Sequence, residues 1–129
     1  MTPASHRPAY VGDVEHDLEV IRMWTSSARS AAGQWMHGFA GARSSHRAVD
    51  EALSELRRVC VEVEKLEVLE LSVCVWEAIL VVDHLRESLG AEDQVIVHAA
   101  SELLRAREHA IDRAIDDLPA LIHATCVAA

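Results

Sequence analysis

From Ala42 to Leu89 the chain contains no glycine, proline or asparagine. Those residues break helices and shape tight turns, so this long stretch must fold with almost no local punctuation. Its centre, Val59 to Trp76, reads VCVEVEKLEVLELSVCVW and alternates valine with glutamate in the manner of a strand. The alternation holds only from Val59 to Val63, then slips phase at Leu66 and again at Leu69. A hairpin would have to turn at Glu64 and Lys65, which are poor turn residues. Upstream, Val49, Ala52, Leu53, Leu56, Val59, Cys60 and Val63 share one stripe of about 120° on a helical wheel. The whole stretch is therefore expected to be helical.

The stripe does not continue unchanged, because Glu67 and Glu70 fall on the face that is apolar before Val63. Beyond that point Leu66, Leu69, Val73, Trp76 and Leu80 form one seam, and Val68, Leu71, Val75, Ala78, Ile79 and Val82 form a second one roughly opposite. This half is expected to be a central helix covered on two sides. An unbroken helix here would be about 65 Å long at 1.5 Å per residue. Either it bends near Glu64 to Glu67 and closes a four-helix bundle, or it stays straight and leaves apolar surface for a second copy. With no turn residue present, the second arrangement is the expected one, and with it a homodimer.

On either side the punctuation returns. After a tail holding Pro3 and Pro8, Asp13 is placed to cap a helix whose inward positions are Val14, Leu18, Ile21, Trp24, Thr25, Ala28, Ala32, Trp35 and Met36. HGFAGARSS then ends it near Gly38, and Ser44 or Ser45 is placed to cap the next helix. Gly90 is the expected C-cap of the middle helix, and Glu92 and Asp93 suit the start of the last long one. That helix is expected to turn Ile96, Ala100, Leu103, Ala110, Ile111, Ala114, Ile115 and Leu118 inward, with Pro119 opening a short terminal helix. The expected fold is all-α. It is an antiparallel helical bundle of three long helices, the middle one unusually long or kinked, with a short C-terminal helix. Residues 1–12 are expected to be a flexible tail and residues 13–129 a single helical domain.

Half of the 129 residues are hydrophobic, enough for a buried core. The three cysteines, Cys60, Cys74 and Cys126, make neither a disulfide framework nor a C-x-x-C pair and are expected to pack as small apolar residues. The start lacks the layout of a signal peptide and no apolar run is long enough for a membrane span, so a cytoplasmic protein is expected. Net charge is −9. Residues 1–58 are balanced, with seven arginines against seven acids, so the entire excess lies after them. Such a surface repels phosphate backbones and disfavours direct nucleic-acid binding, but it attracts a basic protein partner.

The usual catalytic signatures are missing: no Gly-rich phosphate loop, no Gly-x-Ser-x-Gly, no His-Glu-x-x-His. Glu70, Glu77 and His84, spaced by seven, are the one set resembling metal ligands, yet seven residues put about 10 Å between neighbours along a helix. Arg107 stands in the expected apolar stripe of the last long helix and calls for a carboxylate partner, Glu70 or Glu77. The reading that results is a non-enzymatic interaction protein without a cofactor, a regulator, adaptor or inhibitor. Its contact residues are expected among Glu62, Glu64, Glu67, Glu70, Glu77 and Arg107. A metal- or small-ligand-binding bundle is the alternative.

Overall fold

The computed structural model describes the backbone of residues 3–128 and the side chains of residues 12–124. Four α-helices, α1 (Pro3–Met36), α2 (Ala42–Glu64), α3 (Leu69–Gly90) and α4 (Gln94–Ala128), follow one another with no strand among the described residues. Neighbours in the cycle α1, α2, α3, α4 pack on one another, α1 and α3 touch lightly across the middle, and the arrangement is compatible with a four-helix bundle.

The first half follows the sequence closely. In α1, Val14, Leu18, Ile21, Thr25, Ala28 and Ala32 are buried, with Trp24, Trp35 and Met36 partly buried beside them. In α2 the whole stripe from Val49 to Val63 is buried while Val61, one step off it, is exposed. Gly38 ends α1 in the left-handed region at φ 78°, where Phe39 N–H reaches the Gln34 carbonyl and Gly38 N–H that of Trp35. Two helix starts differ. Helix α1 begins at Pro3, upstream of Asp13, and α2 begins at Ala42 with Gly41 as its N-cap and no capping side chain. Ser45, an expected cap, is instead buried with its hydroxyl unpartnered among the described residues.

The middle segment is corrected most. It is two helices, since the helix breaks between Glu64 and Leu69, where Glu67 stands at φ 56°. Lys65, Leu66 and Glu67 N–H close the end of α2 on the Val61, Val63 and Glu64 carbonyls. A left-handed glutamate costs about 1 to 2 kcal/mol. The turn buries Val68, Leu71, Val75, Ala78, Val82, Leu85 and Leu89 against the core that α2 fills, and each large side chain contributes about 1.5 to 3 kcal/mol. Burial outweighs the backbone cost several times over. Burial of this stripe within one chain removes the reason for expecting a continuous middle helix.

Helix α3 ends the same way. Gly90 is its last helical residue, and the left-handed residue is Glu92 at φ 53°, with Glu92 N–H on the Leu89 carbonyl and Asp93 N–H on that of Ser88. Asp93 Oδ1 then accepts the Val95 and Ile96 N–H groups, both at 3.1 Å, and caps α4. Helix α4 turns Val97, Ala100, Leu104, Glu108, Ile111, Leu118 and Ile122 inward, while Ile96 and Leu103 are exposed. Ala100, Ile111 and Leu118 are buried and Ala114 and Ile115 partly buried as expected, and only the start of the stripe is out by one residue, with Val97 and Leu104 in place of Ile96 and Leu103. No separate terminal helix exists either, because α4 continues through Pro119. Leu118 and Ile122, one turn apart and both buried, hold it in register across the proline's missing hydrogen bond.

Glycine at position 67 removes the left-handed penalty but adds unfolded-chain entropy. Glu67→Gly is expected to gain about 0.5 kcal/mol in urea denaturation and Glu67→Val to lose about 1 kcal/mol. Equal stabilities would contradict the left-handed turn.

Candidate functional site

The residues singled out in the sequence lie around the α2–α3 turn, along α3 and, for Arg107, on α4. Glu62, Glu64, Glu67 and Glu70 are all exposed there. Glu62 is engaged by Lys65 at 3.1 Å. Glu64 Oε1 accepts the Trp76 indole N–H at 2.7 Å and the Cys60 thiol at 3.4 Å, so it links the end of α2 to α3 across the turn. Arg107 Nη1 donates to Glu77 Oε2, one of the two acids expected to meet it, and this pair joins α4 to α3. Glu70, Glu77 and Arg107 line a shallow groove of about 320 Å³ together with Val73 and Cys74. His84 is exposed further along α3. Among the described residues no group of three or more His, Cys, Asp or Glu side chains is placed to hold a metal ion. Glu70, Glu77 and His84 therefore do not converge.

Helix α3 carries apolar residues on two opposite sides, and only one side is covered. Leu69, Val73, Trp76 and Leu80, at helical spacings of four and three, point away from the core with exposures of 67%, 37%, 43% and 68%. Cover on both faces was expected; the structure covers the face of Val68, Leu71, Val75, Ala78 and Val82 and leaves this quartet open. The hydrogen bond from Trp76 to Glu64 fixes the indole in place while leaving nearly half of it accessible.

No protein-family model, curated protein or solved structure matches this chain. No helix among the described residues is long and apolar enough to cross a membrane.

One cluster was missed in the sequence. Glu108, 2% exposed, is gripped by two arginines of α1: Arg22 Nη1 donates to its Oε1 at 2.7 Å, and Arg29 donates through Nε and Nη2. Arg22 Nε reaches on to Asp112 Oδ1 at 2.9 Å. The hydrogen bond from Arg29 to Glu108 holds the guanidinium pKa above its usual value, against the opposing effect of burial. A carboxylate this buried is tolerated because charge-assisted bonds replace its lost water. The only sequence trace is that Leu104, Glu108 and Ile111 fall at i, i+4 and i+7, with Arg22 and Arg29 seven apart on the facing helix.

The cysteines are quiet. Cys60 is buried and Cys74 half-buried, while the Cys126 side chain lies outside the described residues. Burial first, and then the Glu64 carboxylate, push the Cys60 thiol up to about 11. Burial also raises Cys74.

Removing both cations from around Glu108 leaves an unpaired buried charge, so Arg22→Met with Arg29→Met is expected to cost about 3 to 5 kcal/mol in urea denaturation. Adding Glu108→Leu should recover most of it; an equally unstable triple variant would contradict the clamp. The thiol gives a pH signature. Unfolded, Cys60 releases its proton near 9.0, and folded only near 11, so its stabilisation is complete below pH 9 and is lost as pH rises through about 11. Alkylation of Cys60 should be slow at neutral pH, and Cys60→Ala should make the alkaline loss of stability less steep.

Proposed function

We propose that the chain is a non-enzymatic helical interaction protein, a small regulator, adaptor or inhibitor, that binds a basic amphipathic helix of another protein through the outer face of α3. The observation that carries this reading is the exposed quartet Leu69, Val73, Trp76 and Leu80, a straight apolar line on a helix whose core-facing side is already filled. Four large apolar side chains in one line form a patch of the kind that marks an interaction site. Exposed Glu64, Glu67 and Glu70 stand at one end of the line, and Glu87 lies further along the helix. An apolar face bordered by acids is complementary to a helix with an apolar stripe flanked by lysine or arginine. In this reading Trp76, held by Glu64, is the anchor.

The rest of the reading is consistent with that surface. The acidic excess disfavours direct contact with nucleic acid, no cofactor is called for, and free thiols suit the cytoplasm. An antiparallel order of the helices is supported by the pairs Arg22 with Asp112 and Arg29 with Glu108, and by Arg57 with Asp83 and Arg86 with Asp50. In each set, residues later on one helix meet residues earlier on the other. A homodimer through the same face is the second reading, favoured by the quartet itself, which can pack on its own copy about a two-fold axis.

The test is calorimetric titration of the protein with a synthetic helical peptide of leucine and lysine. Binding should weaken at high salt and fall about tenfold or more in Leu80→Asp, a substitution the fold tolerates because Leu80 is exposed. Absence of binding, or binding indifferent to Leu80→Asp, would sink the proposal. Light scattering separates the second reading: a doubled mass that reverts to the monomer in Leu80→Asp assigns the face to a second copy.

A further inference from the structure

Between the C-terminal end of α1 and the N-terminal half of α4 lies a cleft of about 640 Å³, the volume of a small-molecule site. It shares no residue with the α3 face. Its lining carries more cationic than anionic groups, in contrast to the chain as a whole. Two guanidiniums, Arg29 and Arg105, and two imidazoles, His37 and His98, line it against the single carboxylate of Glu102, in a protein of net charge −9.

The two arginines are held differently. Arg29 is fixed from behind, since its Nε and Nη2 are taken by the buried Glu108 and its Nη1 has no hydrogen-bond partner among the described residues. A guanidinium positioned in this way loses little freedom when it meets an oxyanion. Arg105 is tied only loosely to Glu102, at 3.8 Å with both side chains more than half exposed, so an incoming anion displaces little. Met36 and Phe39 supply an apolar wall, and Phe39 is 79% exposed, an unusual place for a phenyl ring with nothing to cover.

The geometry points to a binding site for a small phosphate-bearing organic molecule, its phosphate between Arg29 and Arg105 with His37 and His98 beside it, and its carbon body against Met36 and Phe39. A phosphate monoester brings a charge near −2 at neutral pH and three acceptor oxygens, which suits two guanidiniums and two imidazoles better than a single carboxylate does. A phosphate polymer is disfavoured by the acidic surface beyond the cleft. This site extends the function beyond protein binding and stands independently of it.

Calorimetric titration of the full chain with phenyl phosphate, inorganic phosphate and benzoate at constant ionic strength tests the site. Phenyl phosphate is expected to bind saturably at one site per chain, more tightly than either of the others. Arg105→Gln, which removes an exposed side chain, should weaken it about tenfold or more and leave the circular dichroism and thermal midpoint of the unliganded protein unchanged. Phe39→Ala should reduce phenyl phosphate to the affinity of inorganic phosphate. Arg29→Gln also releases Glu108, so Arg105→Gln is the decisive variant. The proposal is overturned if no saturable binding of either phosphate occurs, if binding survives Arg105→Gln, or if benzoate equals phenyl phosphate.

Discussion

The break at Lys65 to Val68 is the constraint on which the rest of the molecule depends. It turns one long breaker-free segment into α2 and α3, brings the Val68 to Leu89 stripe onto the core that α2 has begun, and so makes a closed four-helix arrangement possible within one chain. The local cost sits on a single residue, Glu67 in the left-handed region. The gain is spread over seven buried side chains of the segment that follows. That imbalance explains why the chain turns where no turn residue stands: tertiary burial, counted over a helix, exceeds what one dihedral can withhold.

The same imbalance explains what could be seen from the sequence. Helices α1 and α2 were legible because each has one apolar face and the α1 end carries a glycine at the left-handed position, Gly38. The two later turns place glutamates there, Glu67 and Glu92, and Gly90 is drawn into the helix two residues early. No residue-type signal marks those turns. In α4 the pairs Ile96 with Leu103 and Val97 with Leu104 are equivalent by hydropathy, and Glu108 on the true inward face counts against that face on any wheel. The pair of Arg107 with Glu77 was foreseeable as a charge beside apolar neighbours that needs a partner. The grip of Arg22 and Arg29 on Glu108 was not, since nothing in the sequence pairs these residues until the helices are set side by side.

Two surfaces therefore stand apart from a mostly acidic exterior, and they differ in kind. The outer face of α3 is apolar with acids near it, the surface we propose for another helix. The α1–α4 cleft is cationic, and its best-ordered cation is positioned by the buried carboxylate that also ties those helices together. A single side chain, Glu108, thus serves both cohesion and the positioning of the proposed ligand contact.

The Glu108 clamp also bears on the order in which the chain becomes a protein. Its arginines lie on the first helix and its carboxylate on the last, separated by 86 and 79 residues. During synthesis α1 emerges with both guanidiniums and much of its apolar stripe lacking their partner, and α2 can cover only one flank. The packing of α1 on α4 cannot form until α4 has left the ribosome. Completion of this fold is thereby tied to the appearance of α4.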